Sequence, residues 1–131
     1  MARARIRFRA RRCHQRDAQG RIAHAEMAFG GGIVMIGASG WRDFAVSPES
    51  LGGGNAQRVH VQLRSGIDAH CEPARAAGAA ILQAPAGQFY GDRTYCPCGP
   101  EGHVRTFGQT VRRVSREDAG RHGGLSIEGG R

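Results

Sequence analysis

Glycine punctuates this chain. Of its 131 residues 21 are glycine, about twice the usual share, and they show no collagen-type period. Between them, apolar residues recur at every second position. In residues 3–12, Arg3, Arg5, Arg7 and Arg9 fall on one face and Ala4, Ile6, Phe8 and Ala10 on the other. A period of two is the signature of a strand, and glycine at the breaks supplies the turns that close hairpins. Such a chain is expected to be β-rich, with short strands and tight turns. Its length suits one domain.

The same pattern continues along the chain. After a polar turn at Asp17-Ala18-Gln19-Gly20, residues 22–29 are predicted as a second strand, with Ala23, Ala25 and Met27 alternating with His24, Glu26 and Ala28. Gly30-Gly31-Gly32 reverses the chain, and residues 33–36 form a short apolar third strand, giving a meander. These glycines precede a strand instead of opening a helix, so they do not cradle a dinucleotide phosphate. Residues 37–56 are rich in Gly, Ser and Pro. A stretch of that length is uncommon inside a compact domain, so it reads as a link between two halves.

In the second half, Val59, Val61 and Leu63 alternate with His60, Gln62 and Arg64, which predicts a strand. Residues 67–77 are predicted helical, with Ile67, Cys71, Ala74 and Ala77 at helical spacing and Gly78 closing the C-terminal end. Pro73 is the weak point of that helix. Residues 79–84, 93–98 and 103–111 are predicted strands, with a loop at 85–92 and a turn at Gly99-Pro100-Glu101-Gly102. The second half therefore reads β-α-β-β-β, and the first shows only the closing β-β-β of that order. From Arg112 the chain is polar, with loose helical character at 115–121.

Formal net charge is +8, and all 19 basic residues are arginine. The excess lies at the ends: residues 1–21 carry a net +7, residues 22–104 a net −2 and residues 105–131 a net +3. A nucleic-acid module usually interleaves basic residues with stacking aromatics. Here the arginine row holds only Phe8 and the middle is acidic, so nucleic-acid binding ranks as the lowest alternative. The long runs free of charge and histidine, residues 27–41 and 76–91, are too short and glycine-broken to cross a bilayer. No apolar stretch follows the basic N-terminus as a secretory signal would require. Residues 1–38 contain no serine, which argues against a transit peptide. Cys13, Cys71, Cys96 and Cys98 are accordingly expected as free thiols in a cytoplasmic protein.

The second-half order, ending in RTYCPCGPEGHVRTFGQT, resembles the vicinal oxygen chelate superfamily, and more narrowly its glyoxalase/bleomycin resistance/dioxygenase-like proteins. That family closes a module with a strand, a D-P-x-G-[HN] turn and a final strand. Here the turn is Gly99-Pro100-Glu101-Gly102-His103, with glycine in place of the aspartate. The blocks GRIAHAEMAFGGGIVMIG, RVHVQLRSGIDAHCEPARAAGA and FYGDRTY, and the tail VRRVSREDAGRHGGLSIEGG, are also similar to a glyoxalase-like subgroup. The match covers residues 20–129. The resemblance implies an α+β fold of paired βαβββ modules whose curved sheets enclose a ligand cavity. The expected organisation is an atypical Arg-rich segment at 1–19, a domain at 20–114 and a polar tail at 115–131. Within the domain, 20–40 is a partial first module, 41–56 the linker and 57–114 the second module. The first strand and helix of module one are not recognisable. A truncated or mis-assigned start and completion by a second chain both remain open, and a homodimer is expected.

Metal-dependent members of that superfamily hold a divalent ion with His and Glu side chains on the first and last strands of each module, which suits Lewis-acid chemistry on vicinal oxygens. In this chain residues 33–40 contain neither histidine nor carboxylate, and Thr106 falls about where a glutamate belongs. His60 is one candidate ligand of the four required. No metal site and no cofactor are therefore expected. A zinc site built on Cys96 and Cys98 with His103 and Cys71 or Cys13 lacks a second closely spaced ligand pair, and two small side chains filling one strand face are the commoner arrangement. His70 adjoins Cys71, but neighbours on a helix point different ways, so a thiol–imidazole pair is not expected.

The preferred ligand-binding candidates are Tyr90, Arg93 and Tyr95, where a loop enters a strand and can aim a ring and a guanidinium at a ligand. Their structural alternative is that Tyr90 caps the core and Arg93 ties down a loop. His60, Gln62 and Trp41 rank second. The expected function is binding of a small organic ligand between curved sheets without the superfamily metal. The alternative is a metal-dependent lyase, isomerase or dioxygenase.

Overall fold

The computed structural model describes residues 9–40 and 42–128. They form two compact units, one ending at Gly53 and one beginning at Gly54. In the first, β1 (Arg9–Arg16), β2 (Ile22–Phe29) and β3 (Gly32–Gly37) make an antiparallel sheet in the order β1-β2-β3. The part of the 3–12 strand that falls on residues 1–8 lies outside the described residues. β1 continues to Arg16, beyond the predicted end at residue 12. The following turn depends on Asp17, whose Oδ1 accepts from the backbone N–H of Gln19 and Arg21, both at 2.9 Å, while Oδ2 takes the Arg21 guanidinium at 2.7 Å. A short side chain that can bond its own backbone is what such a turn needs. The linker carries one 3-10 turn, Glu49–Leu51.

The second unit runs β4 (Val59–Gln62), α1 (Ile67–Ala76), β5 (Ala80–Gly87), β6 (Asp92–Cys98), β7 (Arg105–Thr110) and α2 (Arg116–Gly123). Its sheet has the order β4-β7-β6-β5, with β4 parallel to β7 and the other pairs antiparallel. This is the β-α-β-β-β unit expected of the second half, and with the first-unit sheet it makes the protein α+β. Within this unit the predicted strand boundaries shift most at β5, which extends to Gly87, because its last residues pair with Arg93 and Thr94 across the hairpin. Gly91 closes that hairpin at φ 102°. A Cβ there would overlap the Arg112 carbonyl oxygen, so only glycine fits.

α1 has no Ser, Thr, Asp or Asn at its N-cap position. Instead Gly66 precedes it, and the Ile67 N–H donates to Gln109 Oε1 from β7 at 3.0 Å. A side chain from the sheet thus satisfies one of the helix's orphan donors. Pro73 removes one helical N–H, yet the helix continues to Ala76 and ends at Gly78, φ 88°. α2 is capped by Ser115, whose Oγ accepts from the Asp118 N–H at 3.1 Å, a local signal readable in the Ser-x-x-Asp spacing.

One face of the sheet is covered by α1. Ile67 and Cys71 are buried against it, and Tyr95 on β6 is fully enclosed. The Tyr95 ring stacks on Phe107 of β7, centroids 5.2 Å apart, and its hydroxyl is hydrogen-bonded to His70 Nδ1 at 2.5 Å. The His70 ring lies 4.6 Å from Phe107. At the edge of the same face, Arg93 grips Asp68 through two bonds of 2.9 and 2.7 Å, a fork-on-carboxylate geometry that holds the Asp68 carboxyl below its ordinary pKa. Burial raises the Tyr95 hydroxyl and lowers His70. Both shifts keep the pair neutral.

Phe107→Ala should cost about 3–5 kcal/mol in urea unfolding. Tyr95→Phe, which strands His70 Nδ1, should cost about 1–2 kcal/mol. Because the folded pKa of His70 lies below 6.5, the unfolded chain binds the proton first as the pH falls. Stability present above pH 6.5 therefore declines below it, and His70→Gln should flatten that decline in a series of melting curves.

Candidate functional site

Strand alternation puts a second set of residues on the opposite face of the same sheet. On β6, Asp92, Thr94 and Cys96 alternate with Arg93, Tyr95 and Pro97; on β7, Thr106, Gly108 and Thr110 alternate with Arg105, Phe107 and Gln109. The first member of each set faces away from α1, and hydrogen bonds join them to β4 and β5. His60 Nε2 meets Gln62 Oε1 at 2.9 Å. The Gln62 amide donates to Asp92 Oδ2 and Thr110 Oγ1, both at 3.1 Å, and the Thr110 hydroxyl donates to Asp92 Oδ1 at 2.8 Å. A second chain runs through Cys96. Its thiol approaches Gln83 Oε1 at 3.7 Å and Thr106 Oγ1 at 3.5 Å, and Gln83 Nε2 bonds Thr94 Oγ1 at 3.2 Å.

The imidazole and amide lie over Gly108. A Cβ at that residue would stand 2.9 Å from His60 Nε2 and 3.0 Å from Gln62 Oε1, so the missing side chain creates the space they occupy. Tyr90, in the loop between β5 and β6, packs edge-on to Phe89 with centroids 5.2 Å apart. Burial raises the Tyr90 hydroxyl pKa, with a smaller contribution from Asp92.

The six candidate residues thus separate. His60 and Gln62 belong to the open polar face, and Tyr90 stands in the loop two residues before Asp92. Arg93 and Tyr95 lie on the face under α1, where each is engaged with a helix residue. Trp41 lies outside the described residues. Sequence reasoning passed over Asp92, Thr110 and Gly108. The signal was present, since reading β6 and β7 for what alternates with Tyr95 and Phe107 finds them.

The resemblance puts metal ligands on the first and last strands of a module, and β4 and β7 are those strands here. They are parallel neighbours whose register pairs His60 with Thr106. A hydroxyl therefore stands where the second ligand would need a carboxylate, and His60 Nε2 is already bonded to Gln62. Asp92, the carboxylate in the network, is held by Gln62 and Thr110. Among the described residues no group of three or more His, Cys, Asp or Glu is placed to hold a metal ion. This donor set does not fit a divalent centre. Cys96 and Cys98 share the open face, whereas Cys71 is buried beneath α1 on the other, so these three thiols do not converge; the Cys13 side chain is outside the described residues. His70 turns to Tyr95 instead of Cys71.

The βαβββ order of the second unit is the module that the resemblance to the vicinal oxygen chelate superfamily implies. No family profile matches the chain. An uncharacterised protein of Mycobacterium bovis is 31% identical over 104 residues, covering 76% of this chain and 66% of its own length. The chain thus spans about two thirds or less of the mycobacterial relatives it matches, and 59% of one from Mycobacterium tuberculosis. TioX from Micromonospora sp. is 36% identical, with a TM-score of 0.61 over 79% of this chain and 80% of its own. A glyoxalase/bleomycin resistance protein/dioxygenase from Nocardioides shares the fold at 22% identity, TM-score 0.55, over 71% of this chain and 65% of its own. TnmS3, an antibiotic binding protein from Streptomyces sp., shares it at 19% identity, TM-score 0.55, over 79% and 76%. The chain belongs to the glyoxalase/bleomycin resistance/dioxygenase superfamily. Among the described residues no helix is long and apolar enough to cross a membrane.

Burial also raises the Cys71 thiol pKa, which withholds the reactive thiolate. Iodoacetamide at neutral pH should leave Cys71 unmodified in the folded protein and label it in urea, as read by peptide mass spectrometry.

Proposed function

We propose that this chain binds a small organic ligand against the open polar face of its second unit, without a resident metal. The observation that carries the reading is the network of His60, Gln62, Asp92 and Thr110, prearranged on the sheet face that α1 leaves uncovered. Binding sites combine a few placed polar groups with aromatic surface, and the exposed Tyr90 in the loop leading into Asp92 is the residue that supplies it. Rigid placement lowers the ordering cost of binding. Arg93 and Tyr95 serve from the other face by fixing the sheet to α1. TnmS3, which shares the fold, is described as an antibiotic binding protein; a ligand of antibiotic size and polarity is consistent with the groups available here. The charge carried by the network is the Asp92 carboxylate, so a neutral or cationic ligand suits it better than an anionic one.

A metal-dependent lyase, isomerase or dioxygenase would use the same fold, but it requires carboxylate ligands on the first and last strands, whereas the Asp92 carboxylate of this face lies on β6 and is held by Gln62 and Thr110. Titration calorimetry of the full chain against bleomycin and a set of neutral and amine-bearing polycyclic antibiotics tests the proposal. At least one should bind. Gln62→Ala and Tyr90→Ala should each weaken it about tenfold, roughly 1.4 kcal/mol, with the fold intact by circular dichroism. Elemental analysis should find nickel, zinc, manganese and iron far below stoichiometric. Stoichiometric metal whose removal abolishes binding would overturn the metal-free reading.

A further inference from the structure

The polar network has only one consistent arrangement of its hydrogens, and that arrangement dictates what His60 offers a ligand. An ionised carboxylate only accepts hydrogen bonds, and both Asp92 oxygens are in contact: Oδ1 with Thr110 Oγ1 at 2.8 Å and Oδ2 with the Gln62 side chain at 3.1 Å. The Gln62 atom facing Asp92 must therefore be the NH2 group. Its second hydrogen goes to Thr110 Oγ1 at 3.1 Å, whose own hydrogen is committed to Asp92. Turning the amide over would bring its oxygen against the carboxylate, acceptor on acceptor. Gln62 Oε1 is left facing His60 Nε2 at 2.9 Å, and in neutral imidazole that contact requires the proton to sit on Nε2. Nδ1 is then bare, with no hydrogen-bond partner among the described residues, and the ring is exposed.

We propose that Asp92 and Thr110, acting through Gln62, lock His60 as the Nε2–H tautomer, so that Nδ1 is the acceptor for an N–H or O–H group of the bound ligand. The inference rests on the binding function proposed above and names the chemical feature that its ligand presents at this point. Asp92, Thr110 and Gln62 are positioning residues. His60 is the group that touches ligand. The glycine beneath them is part of the device, since a Cβ on residue 108 would press on both His60 Nε2 and Gln62 Oε1.

The lock can be read without any ligand. Multiple-bond proton–nitrogen NMR of the full chain, 15N-labelled at histidine and recorded at pH 8, distinguishes the tautomers, and His60→Gln assigns the signal. The expected spectrum shows His60 protonated at Nε2 and bare at Nδ1. In Gln62→Met, which keeps the length but loses the amide, and in Gly108→Ala, which displaces the pair without touching a polar group, the signals should move toward a mixture of tautomers. A wild-type His60 protonated at Nδ1 would overturn the proposal whatever else binds. Adding the antibiotic found by calorimetry should shift the Nδ1 resonance, and His60→Phe should weaken its binding roughly five- to tenfold, the loss of about one hydrogen bond. Binding that leaves Nδ1 unmoved overturns the acceptor role while the binding function stands. If no antibiotic binds although the tautomer is as expected, the binding function fails and the acceptor role fails with it.

Discussion

The second unit depends on one buried contact, the Tyr95 hydroxyl on His70 Nδ1 with the Tyr95 ring stacked on Phe107. A phenol that deep in apolar surroundings is tolerated because its polar end has a partner. The partner, in turn, is on the helix, so burying Tyr95 and docking α1 are the same event. Ile67 and Cys71 complete the seam, and Gln109 caps the helix from within the sheet. Once α1 is pinned there, the strand pleat leaves every alternate side chain of β6 and β7 on the other face.

That other face is polar, and its order comes from satisfied hydrogen bonds instead of packing. Thr94 is buried yet accepts from Gln83 and Gln88, and Asp92 has a donor on each oxygen. Among the described residues no buried side-chain nitrogen or oxygen lacks a partner. A network of this kind is rigid because each member specifies its neighbour's orientation. It also explains why the family's metal arrangement is not reproduced here: His60 and Thr106 stand side by side in register, but a hydroxyl and an engaged imidazole are poor substitutes for a carboxylate and a free one.

The element order was largely legible in the sequence. Period-two runs marked β2 and β4, the glycine clusters marked the turns, and the helical spacing of Ile67, Cys71 and Ala74 marked α1 in spite of Pro73. The end of β5 was less legible, since pairing with β6 across the hairpin, and not local composition, carries it to Gly87. The site was legible only in part. His60 and Gln62 were found by their alternation on β4 and Tyr90 by its loop. Arg93 and Tyr95 ranked above His60 and Gln62, because a sequence lists an aromatic and a guanidinium on a strand without saying which face meets the helix.

The sequence by itself therefore determined the order of strands and helix, the family resemblance carried by its blocks, and the lack of a carboxylate in residues 33–40 and 103–110, two of the strands on which that family binds metal. These follow from residue type and spacing along the chain. Only the tertiary structure decided which side of the sheet is core and which is open, because that depends on where α1 docks, a matter of contacts between residues 25 apart such as His70 and Tyr95. It also decided the direction of the hydrogen bonds from Asp92 to His60, since Thr110 and Gln62 meet Asp92 only once β4, β6 and β7 lie side by side.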